Sequence, residues 1–321
     1  MAAEVQHQFV TVNGVRLHVA SAGEGPLVLL CHGWPELWLS WRHQLPALAN
    51  AGFRAVAPDM RGFGQSDAPS DVQSYSLLHL VGDMVGLVRE LGEKRAVIVG
   101  HDWGAPVAWS AAMMRPDLFY AVVAMSVPHR RRGPAQPLRL IREVGMNRFY
   151  WIYFQEPGVA EAELERDVAA TMRRLLYSGS GDAPLRQELP LVLPEGGGLL
   201  TLTIDPPRLP DWLDQATLDT MTAEYQRTGF RGGLNYYRNI DRNWELLAPW
   251  DDVLIRQPAL FLAGTRDVVI TGPMGQKALA DLPANVPGLR GKVLLEGAGH
   301  WIQQERPQAV NDALISFLSS L

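Results

Sequence analysis

Asp102 stands at the tip of the stretch "VGHDWGAPVAW", between Gly100 and Gly104, where an apolar run gives way to a helix-like one. That frame is a sharp strand-to-helix turn of the kind on which enzymes expose a nucleophile, usually serine in the pattern G-x-S-x-G. The flanking glycines suit it, because side chains there would clash with the turn. A serine must lose a proton to attack, whereas a free aspartate, with a reference pKa of ~3.9, is already ionised at neutral pH. Carboxylate nucleophiles act on electrophiles that leave an ester on the enzyme. Displacement at an sp3 carbon fits, by opening an epoxide or expelling a halide. Two further residues, Asp267 and His300, each follow an apolar run and lead into loop-like sequence. A histidine oriented by an acid would activate water against such an ester, and backbone N–H groups near the turn would hold the oxyanion.

These groups need a scaffold that brings them to one edge. "FVTVNGVRLHVA" reads as two alternating strands around Asn13-Gly14, a hairpin signal. "PLVLLCH" is a continuous apolar run, as in a strand buried on both faces. "SWRHQLPALANAG" then predicts a helix ended by Gly52, "FRAVAPD" a strand, and "SLLHLVGDMVGLVRELG" a helix stopping at Gly92. "RAVIVG" is a strand, Trp103 to Met114 a helix and "YAVVAMSVP" a strand. The pattern resumes with "PALFLAGTRD" (strand), "TGPMGQKALADL" (helix), "GKVLLEGAGH" (strand) and the closing helix "RPQAVNDALISFLSSL". This alternation predicts an α/β fold with a mostly parallel sheet flanked by helices.

Between the two series, from His129 to about Trp250, the pattern is helical and irregular, with a loop-like stretch "SGSGDAPLRQELPLVLPEGGG". The expected division is therefore 1–128 and 251–321 for the two parts of the sheet domain, with a helical insertion over 129–250 after the sixth strand. Ligands of open α/β sheets sit beyond the carboxyl ends of the strands. His32, Asp102, Asp267 and His300 all fall at such ends. Each has an ordinary reading: either aspartate could cap a helix, and His300 could be a core histidine. Their joint placement at one edge, in the order nucleophile, acid, histidine, favours the catalytic reading.

Composition sets the outer bounds. The chain has 321 residues, 47% hydrophobic and 20% charged, with a net charge of -5, as in an ordinary globular protein without a nucleic-acid surface. Arg130-Arg131-Arg132 is the longest basic run and is expected on the solvated hinge of the insertion. The single cysteine, Cys31, excludes an internal disulfide and reads as a buried structural thiol in a reducing compartment. "MAAEVQHQF" lacks the pattern of a signal peptide and no apolar run approaches the ~20 residues of a membrane span, so the expectation is cytoplasmic. No His/Cys/carboxylate spacing suggests a metal. "RGFGQSD" has G-x-G but Asp67 in place of a third glycine, so no dinucleotide and no other cofactor is expected. The Arg61-Gly62 part of it is expected to shape a loop below the pocket.

Over nearly its whole length the chain resembles the soluble epoxide hydrolases of the α/β-hydrolase superfamily. The stretches that carry the resemblance are "HGWPELWLSWRHQLPALANAGFRAVAPDMRGFGQSDAP", "VGHDWGAPVAW", "YWIYFQEPGVAEAELE", "TGFRGGLNYYRNIDRNW" and "GAGHWIQQERP". "HDWG" is shared with haloalkane dehalogenases; "YFQEPG" and "GFRGGLNYYRN" are more specific, because they look like the lid motifs of epoxide hydrolases. The resemblance implies Asp102 as nucleophile, Asp267 as acid and His300 as base, with the insertion as a cap over the site. His32-Gly33-Trp34-Pro35 resembles the H-G-x-P oxyanion loop, implying donors from the backbones of Trp34 and Trp103 and a cis bond before Pro35. Phenylalanine is common where Trp34 stands, a departure that could alter pocket shape.

The same resemblance places two cap tyrosines at the substrate oxygen: Tyr150, four residues before Phe154, with Tyr153 as the nearby alternative, and Tyr237 of "NYYRN". Opening a strained C–O bond gives an alkoxide about as basic as hydroxide (water's pKa is ~15.7), so proton donation from a phenol near ~10 is downhill. Substrate contacts are expected from Tyr153 and Phe154 as well. The expected partners are a small hydrophobic epoxide and water, and an exposed cap face could support a homodimer. Two rivals remain open. A haloalkane or haloacid dehalogenase would use the same nucleophile but often carries asparagine where Trp34 stands. A ligand receptor on this scaffold would have no need of Asp102, Asp267 and His300 together.

Overall fold

In the computed structural model, which describes residues 3–184 and 191–321, eight strands form one sheet: β1 (Gln6–Val12), β2 (Val15–Ala22), β3 (Leu27–Cys31), β4 (Arg54–Pro58), β5 (Ala96–His101), β6 (Phe119–Met125), β7 (Ala259–Gly264) and β8 (Leu289–Leu295). Their order is β1-β2-β4-β3-β5-β6-β7-β8. The hairpin β1–β2 and the pair β2–β4 are antiparallel, and every pairing from β4 through β3 to β8 is parallel. Asn13 (φ 47°) and Gly14 (φ 76°) make the hairpin turn, since both central residues of such a two-residue loop need positive φ.

Burial follows the sequence pattern. Every residue of β3, β5 and β7 is buried, as continuous apolar runs require when helices cover both faces. β8 alternates between half-buried and exposed residues, as an edge strand does. Two apolar clusters lie on opposite faces of the sheet; one includes Leu29, Ile98 and Phe261, the other Val28, Val97 and Leu262. That alternation of neighbouring residues is the period of two expected of a strand.

One helix is shorter than its sequence suggested. The stretch from Ser40 to Gly52 divides into a tight turn, Trp38–Trp41, and a helix, Gln44–Asn50. Proline is best accommodated in a helix's first turn, where its missing N–H has no partner to lose. Starting at Gln44 puts Pro46 there; a helix from Ser40 would bury it in the middle.

Between β6 and β7 the chain leaves the sheet. Its longer helices there are Val168–Gly179, Gln215–Thr228 and Arg231–Arg238, joined by short ones such as Tyr150–Tyr153. Of the loop-like stretch read over 178–198, residues 185–190 lie outside the described residues. The departing and returning segments are tied together at the surface. Arg131 pairs with Asp252 at 2.9 Å, and Arg132 lies over the Trp244 ring and beside Asp251. Deeper down, the Arg61-Gly62 loop lies under the inserted helices. Gly62 touches the backbone of Gly232, leaving no room for a side chain at either, and Tyr236 Oη donates to the Arg61 carbonyl at 2.9 Å. Among the described residues no helix is long and apolar enough to cross a membrane.

Candidate active site

Asp102 follows β5 directly and precedes the helix Gly104–Met114. Its φ is +49°, the left-handed region that costs a non-glycine residue about 1–2 kcal/mol. A Cβ at Gly100 or Gly104 would run into backbone of Gly104 or Cys31. The turn holds its strain because close-packed backbone leaves it no alternative. It does so with the Asp102 side chain presented beyond the strand end. Oδ1 accepts a 2.7 Å hydrogen bond from the Trp34 N–H, and Oδ2 lies 3.3 Å from His300 Nε2.

His300 and Asp267 complete the line. His300 Nδ1 is 3.1 Å from both carboxylate oxygens of Asp267. Asp267 is fully buried and its Oδ1 also accepts from the Val269 N–H at 2.8 Å. The two readings of this residue therefore coexist: it caps the short helix Val268–Thr271 and faces the histidine. Burial alone would lower the pKa of His300. The charge of Asp267 and the hydrogen bonds to Asp102 and Asp267 outweigh it, so the imidazolium is held well above its usual range.

The Gly33-Trp34-Pro35 loop is fastened from behind. The Trp34–Pro35 peptide is cis. His32 is buried and does not reach Asp102's carboxylate side; its Nε2 accepts from the Met60 N–H at 2.9 Å, which leaves Nδ1 to donate to the Gly33 carbonyl at 2.8 Å. Burial lowers its pKa, consistent with that neutral tautomer. His32 thus shapes the Gly33-Trp34 turn and does no chemistry itself.

Sequence reasoning missed two residues beneath the site, Glu36 and His101. Glu36 accepts from the Gly33 N–H (2.9 Å) and from Gln303 (2.7 Å), and lies 2.6 Å from His101 Nδ1. His101 Nε2 is 2.7 Å from the carbonyl of His300. Both imidazole nitrogens of His101 thus face acceptors, and the ring and the Glu36 carboxylate form a fully buried pair. Burial would raise the pKa of Glu36, but the charge and hydrogen bond of His101, with His32 and the Gly33 N–H, bring it down to about 2. One buried pair therefore links the Gly33 backbone to the His300 backbone. Neither carried a local signal strong enough to mark it: Glu36 follows Pro35 in "HGWPE" and His101 follows Gly100 in "VGHDWG".

Above Asp102 lies an aromatic wall from the inserted helices. The rings of Tyr150 and Tyr237 are 5.8 Å apart, and Phe154 packs 5.6 Å from the first and 4.9 Å from the second. Trp103 and Trp34 approach Tyr237 edge to face at 5.0 and 5.9 Å. Burial first, and then the charge of Asp102, push both phenols above their ordinary pKa. They stay protonated, so each keeps an O–H that can donate. Tyr153 is not brought to this cluster: its hydroxyl donates to Glu163 at 2.8 Å. An open cleft of about 1030 Å³ lined by Glu161, Arg166, Arg227 and Arg231 contains none of these residues.

The fold and this arrangement match one family. Residues 26–307 match the alpha/beta hydrolase fold family. The chain is 46% identical to Epoxide hydrolase A of Mycobacterium tuberculosis, over 98% of this chain and 97% of that protein. It is 42% identical to Epoxide hydrolase 1 of Siraitia grosvenorii, over 98% of each. Among solved structures, an epoxide hydrolase from an endophytic Streptomyces superposes with a TM-score of 0.94 at 45% identity, covering 98% of this chain and 95% of that one. The chain belongs to the alpha/beta hydrolase fold family and, within it, to the epoxide hydrolases.

Proposed function

We propose that the protein converts epoxides to vicinal diols through an ester on Asp102, with His300, Asp267, Tyr150 and Tyr237 as its other catalytic residues. The observation that carries the reading is the pairing of an anchored carboxylate, Asp102, with two phenols, Tyr237 buried and Tyr150 half-buried, across an aromatic pocket. Asp102 Oδ2 attacks a ring carbon and the C–O bond breaks. The departing oxygen takes a proton from Tyr150 or Tyr237, polarised by the other phenol. Burial makes these phenols weaker acids than free tyrosine, which keeps each proton in place until the ring oxygen gains negative charge.

Ester formation removes the negative charge of Asp102. That charge and the hydrogen bond to it support the His300 imidazolium, so alkylation itself lowers the histidine's pKa. The imidazolium proton then restores the phenol. Neutral His300, still oriented by Asp267, removes a proton from water as the water adds to the ester carbonyl. Backbone N–H groups of Trp34 and Trp103 receive the oxyanion. Collapse releases the diol and returns carboxylate and imidazolium, so charge and protons balance over the cycle.

In this reading residues 129–250 are a cap that excludes bulk water, on a core of 1–128 and 251–321. The substrate is small and apolar enough to lie against Trp34, Trp103 and Phe154, and water is the co-substrate. Cys31 is fully buried and burial pushes its thiol up, in keeping with a cytoplasmic setting. The test is a single turnover in ¹⁸O-labelled water. Label must enter the Asp102 carboxylate and be absent from the first diol released; label in that diol would mean direct attack by water.

A further inference from the structure

His300 is held by the inserted helices as much as by the sheet. Its N–H donates to the carbonyl of Gly179, the last residue of the helix Val168–Gly179, at 2.7 Å. The next residue, Trp301, donates its indole Nε1–H to Leu176 at 2.7 Å. Gly181 and Gly299 pack backbone to backbone, with no room for a Cβ at either. Beside Asp267, Arg266 donates to the Ala183 carbonyl at 2.7 Å.

Glu305 sits at the centre of this joint. Its Oε2 accepts from the N–H groups of Gly181 and Gly299, each at 2.8 Å, and Oε1 accepts from the Trp301 N–H at 2.9 Å. The side chain is 6% exposed, and among the described residues it has no salt-bridge partner. A buried carboxylate without a counter-ion is costly, and burial raises its pKa despite the three N–H donors. Packing gives no reason to keep a charge there. The three N–H groups do, because they belong to two chain segments that only an acceptor with several lone pairs can join.

We infer that Glu305 is a positioning residue for the hydrolytic step: one carboxylate grips the backbone on both sides of His300 and the insertion at Gly181, so the base is in place only when the insertion is seated. This rests on the reading of His300 as the base. The groups of the first step are fixed elsewhere. Asp102 is held by the Trp34 N–H, and the helix carrying Tyr237 is anchored through Tyr236 on Arg61. Loss of Glu305 therefore strikes ester hydrolysis and spares ring opening.

Rapid-quench kinetics with intact-mass detection on the full chain, using a styrene-oxide-like epoxide, tests this. Glu305→Gln keeps the shape but sets an NH2 where N–H groups need an acceptor. Ring opening should stay within about twofold, while ester hydrolysis slows on the order of 10–100-fold, as for a base misplaced by a fraction of an ångström to ~1 Å. Protein plus one substrate mass then accumulates, and Glu305→Asp, which keeps the charge, recovers part of the rate. Equal slowing of both steps, or normal hydrolysis in the folded variant, overturns the proposal. Should Glu305→Gln not fold, Trp301→Phe decides: it removes the bond to Leu176 and keeps an aromatic ring against His300, and hydrolysis selectively slowed supports the joint while unchanged hydrolysis overturns it. His300→Gln separates the underlying reading. If it accumulates no ester, His300 is not the base; if it does while Glu305→Gln turns over normally, the positioning role alone fails.

Discussion

The sheet edge and the inserted helices contribute opposite kinds of group to the site. From the strand ends come the ions: Asp102, Asp267, His300 and, beneath them, Glu36 with His101. From the insertion come the phenols Tyr150 and Tyr237, whose rings pack against aromatic neighbours. Charges need dense hydrogen bonding to be kept from water, and parallel strand ends with tight turns supply backbone N–H groups for it. Phenols need only burial, which a layer of helices provides. The division teaches that the sheet sets where charge sits and, on the proposed function, that the insertion sets which oxygen receives a proton.

The sharpest way to break that comparison is to remove the nucleophile. Asp102→Asn should lose activity by on the order of 10⁴-fold or more, with no ester detectable by mass spectrometry, because no later step replaces the first bond. Residual turnover near wild type would move the chemistry off the sheet edge. The next largest effect falls on the insertion. A single Tyr150→Phe or Tyr237→Phe should slow ring opening by up to ~10²–10³-fold, softened by the surviving partner, and the double variant should be nearly inactive. An alkyl halide, whose leaving group needs no proton, is the control: any turnover of it should suffer far less. Full epoxide activity in a folded double variant would strip the insertion of its chemical role.

The same division explains what the sequence made legible. The strands were readable because fully buried parallel strands are continuous apolar runs, as in "PLVLLCH" and "RAVIVG". Asp102 was readable because only glycines fit around its turn. The insertion was harder, because its short helices owe their places to contacts distant in sequence. Tyr150 and Tyr153 are three residues apart on one turn, and spacing could not choose between them. The choice is made by Glu163, which takes the Tyr153 hydroxyl and also the Leu199 and Leu200 N–H groups. Glu36 and His101 escaped notice for a related reason. They are 65 residues apart, and an ion pair of that separation leaves no local pattern.

Glu36 sharpens the comparison on the stability side. Glu36→Gln leaves His101 buried without its anion, and breaking a buried pair this way costs about 3–5 kcal/mol. Thermal or denaturant unfolding should show a loss of that order, together with reduced activity as the Gly33-Trp34 turn and the His300 carbonyl loosen. The wild type should show the matching acid dependence. With its folded pKa depressed to about 2, Glu36 contributes stability that is present above the unfolded carboxylate range and lost as pH falls from there toward 2. A variant as stable as wild type at neutral pH would mean that the pair does not support the sheet-edge site.

The smallest effect expected is a shift in one titration, and it probes how the two regions communicate. The His300 pKa lies well above its ordinary value because the carboxylates on either side of the ring outweigh burial. A histidine whose folded pKa is raised contributes stability fully present below its unfolded pKa of about 6.5, lost as pH rises through the folded value. Asp102→Asn removes one carboxylate charge while keeping the side chain's shape, imitating the charge change that ester formation brings. By NMR, His300 should therefore titrate lower in Asp102→Asn than in the wild type. The stability difference between the two proteins should also narrow as pH rises and the wild-type imidazolium deprotonates. If His300 titrates at the same pH in both, loss of the Asp102 charge cannot release the base. The proton that restores the phenol would then have to come from elsewhere.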